Sequence, residues 1–238
     1  MARYFTEEAS AEAVNDRMGE EISPRLAEVM GCLVKHLHAF AKEVDLTQEE
    51  WEFGIDFLTR TGQLCSGERQ EFILLSDTLG FSMLVDAINN RRPAGATEST
   101  VFGPFHVWSD NADGFYDVQQ PEQQPQWNNR GIFFTGEDGA YSFVGIKPVS
   151  YPIPDDGPVG KMLDALGRHP YRPAHMHFLV TAPGYQKLVT HTFVEGDPYL
   201  SSDAVFGVKQ SLLASFERTA GEVPWRSRFD FVLNPSGE

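Results

Sequence analysis

Cysteine is scarce in this chain: Cys32 and Cys65 are its two thiols. Two such residues build neither a disulfide framework nor a Cys-rich zinc cluster, and a reducing cytoplasm is the expected compartment. No stretch approaches the ~18–20 consecutive apolar residues that a membrane-spanning helix needs. The opening MARYFTEEASAEAVNDR is acidic and lacks the apolar centre of a signal peptide. Basic residues are also few, 19 Lys and Arg against 34 Asp and Glu, for a net charge of -15. That deficit argues against a nucleic-acid groove or an anionic membrane surface as the partner. Internal repeats and low-complexity tracts are missing, which sets solenoid architectures aside.

What the chain has is core material. Its 238 residues are 41% hydrophobic and 12% aromatic, with 18 Phe. That suits one large domain with a helical appendage and excludes extensive disorder. The first third reads as helical. Ser23-Pro24 supplies an N-cap with proline at the first helical position, and Leu26, Met30, Leu33, Val34, Leu37 and Phe40 follow near helical spacing. Thr47-Gln48-Glu49-Glu50 is a capping-box pattern for a second helix through Leu58. A third is expected from Glu68 to about Asn90.

After Pro93-Ala94-Gly95 the texture changes to short β-prone runs between Gly, Pro, Asn and Asp turns. Glu137-Asp138-Gly139 predicts a hairpin between GIFFT and AYSFVGI. Further helices are expected at 160–167, ending in Gly167, and around 204–217, with RFDFVLNP as a closing strand. The expected fold is therefore mainly β: a β-sandwich domain over 97–238, preceded by an N-terminal helical unit over 1–96.

The densest chemical signal is Tyr171-Arg172-Pro173-Ala174-His175-Met176-His177. On a strand, residues i and i+2 share a face, so His175 and His177 can reach one metal ion, and imidazole suits first-row transition metals. His36-Leu37-His38 makes the contrast: on a helix those side chains diverge by ~200°. No carboxylate follows His177 closely, the first Glu being Glu195, so a local His/His/carboxylate iron(II) set is not visible. Tyrosine is the remaining oxygen donor, with Tyr116 and Tyr151 as candidates. Two tyrosinates with two neutral imidazoles favour iron(III), because phenolate is a hard anionic ligand whose usual pKa of ~10 falls on metal binding. A zinc or iron(II) site using a distant carboxylate, Asp197 or Asp203, stays open at this point.

Four blocks carry a resemblance to a known family: TESTVFGPFHV, WSDNADGFYDVQ, VSYPIPDDGPVGKMLDALGRHPYRPAHMHFLVTAPGY and THTFVEGDPYLSSDAVFGVKQSL. The chain resembles the intradiol ring-cleavage dioxygenases, and VFGPF with GDPYLSSDAVFGVK resembles the hydroxyquinol-cleaving branch more than the catechol-cleaving one. The resemblance implies Fe(3+) held by Tyr116, Tyr151, His175 and His177. Arg172 would face the substrate, and Tyr151 would leave the metal to act as a base. It implies a substrate wall of Leu74, Asp77, Val101, Phe102, Gly103, Pro104, Phe105, Ala204 and Val205. The implied reaction uses O2 to split a catechol-type diol or triol between its hydroxylated carbons. Hydroxyquinol would yield 3-hydroxy-cis,cis-muconate, a tautomer of maleylacetate; catechol and chlorocatechol are the alternative substrates. The resemblance also implies a homodimer paired through the helical unit, with lipid at the interface. One departure stands out: Val107 runs directly into Trp108. A segment on the order of fifty residues, several strands' worth, is absent there relative to the family. A sandwich that keeps the motif without turnover is the reading this departure opens.

Overall fold

The computed structural model describes residues 4–67, 69–101 and 131–236. The chain divides into two compact units, Met1–Leu58 and Thr59–Glu238. In the first, α1 (Ser10–Asn15) packs on α2 (Pro24–Glu43). The buried Ala13 and a 3.0 Å hydrogen bond between Ser10 Oγ and His38 Nδ1 join them. Ser23 caps α2 by accepting from the Leu26 amide, with Pro24 at the first position. At the start of α3 (Gln48–Gln63) the expected capping box is formed: Glu50 N donates to Thr47 Oγ1 (3.2 Å) and Thr47 N to Glu50 Oε2 (2.9 Å). α2 buries none of its residues, and Leu26, Leu33, Leu37 and Phe40 remain half exposed.

In the second unit, the expected single helix over 68–90 is two, α4 (Glu71–Thr78) and α5 (Phe81–Asn89). The break is Gly80, at φ 72°, where a side chain would meet the Phe206 ring. A left-handed residue there ends α4, and its amide satisfies the Asp77 carbonyl. α6 (Pro158–Ala165) begins two residues before the expected 160 and ends two before the expected 167, with Leu166 as its C-cap and Gly167 at φ 66° turning the chain away. Buried Glu71 accepts from Val159 N at 3.2 Å while paired to Arg69 at 3.0 Å, so an anion on α4 caps the N-terminus of α6.

The strands form three sheets among the described residues. β1 (Tyr151–Pro152) pairs antiparallel with β2 (Tyr171–Arg172). β3 (His175–Val180) pairs antiparallel with β4 (Leu188–Val194), and β4 is parallel to β5 (Leu213–Ala214). β6 (Glu217–Arg218) pairs with β7 (Trp225–Arg226). Leu74, Val159, Leu163, Leu188, Phe193 and Leu212 are the fully buried apolar core.

Three expectations are corrected. No α-helix lies around 204–217: a 3-10 turn at Gln210–Leu212 feeds β5, because Leu212 and Ala214 are buried and β5 bonds to β4. RFDFVLNP is extended but makes no regular ladder. It is tied by Thr97 N to Val232 O (2.9 Å), Gln186 N to Asn234 O (2.8 Å) and the single bridge Tyr185–Pro235. The 137–139 turn forms, with Gly136 N donating to Ala140 O at 2.9 Å, but its flanks are not paired as strands. Phe134, Val144 and Ile146 on those flanks are exposed.

Candidate metal centre

The site is built on the β3–β4 ladder. His175 and His177 lie on one face of β3, and the register sets His191 of β4 opposite His177. His175 donates from Nδ1 to the Pro173 carbonyl at 2.7 Å, which leaves its Nε2 lone pair for a metal. Tyr151 Oη lies 3.4 Å from that Nε2. Arg172, directly across from Tyr151 in the β1–β2 pair, brings Nη1 to 3.2 Å from the same nitrogen. His191 Nε2 is 3.1 Å from His177 Nε2, and its Nδ1 bonds Thr100 Oγ1. The ligand atoms of His175, His177 and His191 all lie within 4.8 Å of one another. Among the described residues no carboxylate belongs to this group. Such a donor set, one phenol and three imidazoles, fits a first-row transition metal.

Burial holds His175 well below the usual imidazole pKa, and the Arg172 charge adds to the shift. Burial does the same for His191, helped by His175 and Arg172. Both rings are therefore neutral at pH 7, the form that binds metal.

Arg172 is 4% exposed and pairs with Asp203, Nε to Oδ1, at 3.2 Å. Asp203 is fully committed, since it also accepts from Val205 N (3.3 Å) and Gly207 N (2.9 Å). A Cβ at Gly207 would stand 3.0 Å from Arg172 Nη2, so glycine is what lets the backbone close on the guanidinium. Burial works against the Arg172 charge, but Tyr151 and Asp203 outweigh it and its pKa is raised. Asp197, the other distant carboxylate considered, accepts from Ala174 N (3.0 Å) and Tyr199 N (2.9 Å) and serves its own loop.

Beside Arg172 stands Asp77, 1% exposed, with neither carboxylate oxygen hydrogen-bonded among the described residues. The adjoining Ser82 hydroxyl instead bonds Ser76 at 2.8 Å. Burial raises the Asp77 pKa to about 6, against the opposing pull of Ser82 and Arg172. Leu74, one turn before Asp77 on α4, is buried, as are Ala204 and Val205 next to Asp203. Arg168 ties these walls together, donating to Thr78 O (2.6 Å) and Ala204 O (2.9 Å). Val101 is half-buried, one residue beyond Thr100. Tyr116, Phe102, Gly103, Pro104, Phe105 and the Val107–Trp108 junction lie outside the described residues.

Sequence reasoning passed over three contributors: His191, Thr100 and the Asp203–Arg172 pair. Each depends on a register or a loop closure that joins residues far apart in sequence. Thr-His-Thr on a β-prone run was the one local trace of His191.

Comparison with known proteins follows the same lines. Residues 99–235 match a dioxygenase family model and residues 23–97 one described as the catechol dioxygenase N terminus. A hydroxyquinol 1,2-dioxygenase of a Rhizobium species is 51% identical over 257 residues, covering 90% of this chain and 87% of the relative. A 6-chlorohydroxyquinol 1,2-dioxygenase of Cupriavidus pinatubonensis is 47% identical, covering 94% and 96%. Among solved structures, hydroxyquinol 1,2-dioxygenase from Pseudomonas putida superposes with a TM-score of 0.88 at 44% identity, over 97% of this chain and 99% of that one. Since 90% of 238 residues is about 214, about 43 of the 257 positions aligned to the Rhizobium enzyme have no residue from this chain, a gap the size of several strands.

Proposed function

This chain belongs to the intradiol ring-cleavage dioxygenases, a non-haem iron family with a β-sandwich catalytic domain and N-terminal helices, and we propose that it opens the ring of hydroxyquinol (1,2,4-trihydroxybenzene) with dioxygen at an iron(III) centre. The convergence of Tyr151, His175, His177 and Arg172 on one point carries the reading. Tyr151, His175 and His177, with Tyr116, would hold the iron. Bound there, iron(III) supplies Lewis acidity that activates the diol toward dioxygen.

The chain's own residues do the rest. Tyr151, 41% exposed and at the edge of the cluster, is placed to accept a proton from an incoming diol hydroxyl. Arg172, locked by Asp203, holds a fixed positive charge where negative charge develops on the ring. Asp77, whose buried carboxylate oxygens accept no hydrogen bond among the described residues, supplies an acceptor for the third hydroxyl, which catechol does not have. The apolar side chains of Leu74, Ala204 and Val205, with Val101 and the 102–105 run, would exclude water and confine the ring. Both oxygen atoms enter the product, 3-hydroxy-cis,cis-muconate, and the cleaved carbons become its two carboxyl groups.

Oxygen uptake with hydroxyquinol and with catechol, on protein carrying about one iron per chain and a red-brown tyrosinate band, tests the proposal. A colourless, iron-free protein sinks the metal assignment; faster uptake with catechol sinks the hydroxyquinol assignment alone. The exposed apolar flanks of the 137–139 turn favour a second reading, a sandwich that binds the diol without turning it over. Binding without oxygen uptake is its signature.

The functional division is proposed at 96/97, with residues 1–96 serving assembly in the cytoplasm. The exposed apolar stripe of α2 supports a homodimer of two-fold symmetry, with lipid as a candidate occupant between paired helices. Sedimentation measures the first, and organic extraction followed by mass spectrometry the second. No helix among the described residues is long and apolar enough to cross a membrane.

A further inference from the structure

We propose that Arg168 is a positioning residue for substrate choice: its guanidinium sets the gap between the wall that carries Asp77 and the wall that holds Arg172. This rests on the reading that Asp77 accepts the third hydroxyl of hydroxyquinol, and it names the side chain that puts Asp77 within reach.

Arg168 follows Gly167, and the left-handed turn there closes with Arg168 N bonded to Leu163 O at 2.8 Å. The side chain then meets each wall once. Nη1 donates to Thr78 O at 2.6 Å and Nη2 to Ala204 O at 2.9 Å. Thr78 follows Asp77 and is the last residue of α4; Ala204 follows Asp203, the partner of Arg172. A planar, permanently charged group with fixed donor directions therefore spans the peptides next to Asp77 and Asp203. The Thr78 carbonyl lies at the C-terminus of α4, where a helix leaves acceptors unfilled and favours a cation.

Phe206 makes a third contact. Arg168 Cζ lies 4.8 Å from the centre of its ring, and a Cβ at Gly80 would stand 3.3 Å from the same ring. Phe206 holds φ 59°, a backbone region that bulky residues avoid, so fixed neighbours have to keep it there. Arg168 and the Gly80 turn that closes α4 are those neighbours.

The two walls do not depend on Arg168 equally. The 203–207 loop has its own anchors: Ala204 N bonds Tyr171 O of β2 at 3.1 Å, and Asp203 is held by Arg172, Val205 and Gly207. α4 is tied to α6 at its first residue, through Glu71 and Val159 N, and to the segment after α6 at its last, through Arg168. Removing the guanidinium frees the end of α4 that bears Asp77 and leaves Arg172 in place. A substrate with a third hydroxyl feels that loss most.

The experiment uses the full chain loaded with iron. Oxygen uptake with hydroxyquinol and with catechol is measured on the parent, Arg168→Met, Arg168→Lys, Asp77→Asn and the double variant Asp77→Asn with Arg168→Met. Arg168→Met keeps the aliphatic stem and loses both donors; its iron content and tyrosinate band should match the parent. KM for hydroxyquinol should rise about tenfold, the scale of one misplaced hydrogen bond, while kcat/KM for catechol changes by less than about threefold. Arg168→Lys, which offers a point charge to one carbonyl, should fall between parent and Arg168→Met, and it carries the test if methionine disturbs the fold. In the Asp77→Asn background, Arg168→Met should alter the hydroxyquinol-to-catechol ratio by less than about twofold, because a residue that acts through Asp77 has nothing left to position. Equal losses on both substrates overturn the proposal and leave Arg168 a structural clamp. So does a further fall of about tenfold in the double variant. If Asp77→Asn by itself leaves the ratio unchanged, the reading of Asp77 fails and the proposal with it, a result distinct from the failure of Arg168 alone.

Discussion

The β3–β4 pair and the stretch 131–149 read alike in sequence: both are aromatic and β-prone, and both are punctuated by turns. In the fold they part company. β4 is almost wholly buried, with Leu188 and Phe193 inaccessible to solvent and a buried imidazole between them, and a full ladder joins it to β3. Residues 131–149 form their Gly139 turn and stop there; Phe134 is 89% exposed and Val144 81%. Phe143 still stacks on Phe133, ring centroids 4.9 Å apart, and Tyr141 donates to the Phe229 carbonyl at 2.8 Å. Local pattern suffices for a turn, whereas a ladder needs a neighbouring strand in register. His175, Thr190 and His191 can be buried in β3–β4 because each meets a fixed partner, the Pro173 carbonyl, the Glu98 carbonyl and the Thr100 hydroxyl.

Four measurements would break or sharpen this contrast. The largest effect is expected from Phe193→Ala, which empties a fully buried ring position and should cost ~3–5 kcal/mol in denaturant unfolding. A loss under ~1 kcal/mol would mean that β4 is not the core of its unit.

Arg172→Ala should leave iron bound while turnover falls by two orders of magnitude or more, ~2.7 kcal/mol or above. Iron content and oxygen uptake, read on the same sample, separate charge stabilisation from metal retention. Parent-like turnover removes arginine from the chemistry.

Asp77 comes next. An unpaired buried acceptor costs ~1–3 kcal/mol, so Asp77→Asn should narrow the preference for hydroxyquinol over catechol by one to two orders of magnitude in kcat/KM. Its pKa, raised from 3.8 to about 6 chiefly by burial, also gives a pH signature. Over that interval the native state binds more protons at this position than the unfolded chain. Asp77 therefore favours the native state below pH ~4, and that contribution is lost as pH rises through about 6. Relative to Asp77→Asn, the parent should lose stability between pH 4 and 7. Arg172, Asp203 and Ser82 face the same carboxyl. Parallel stability curves for the two proteins would show that the carboxyl is not desolvated.

The smallest effect belongs to the other side of the comparison. Phe134→Ala should change stability by no more than ~0.5 kcal/mol, as for an exposed side chain without fixed partners. A loss of 2 kcal/mol or more would reveal a partner surface over 131–149.

Much of the site was legible in the residues themselves. His-x-His on a strand places two rings on one face by pleat geometry alone, and Tyr151, Arg172 and the histidines stood together in motifs specific enough to indicate the family. The caps at Ser23 and Thr47 were equally plain, because capping uses residues three or four apart. The single helix over 68–90 failed at Gly80, where the apolar pattern runs on but the glycine turns left-handed under Phe206. The helix around 204–217 failed because β4 offered backbone partners that outweighed local propensity.

The sequence by itself determined the candidate donors His175 and His177, the helical caps, the acidic character and the family of this chain, since all of these lie in composition or short-range spacing. Only the tertiary structure decided that His191 faces His177, that Asp203 locks Arg172 from 31 residues away, and that Asp77 is buried beside Arg172. Those relations depend on strand register and loop closure. Both are set by the cooperative burial of Phe193, Leu188 and Leu212, and no local stretch of residues encodes them.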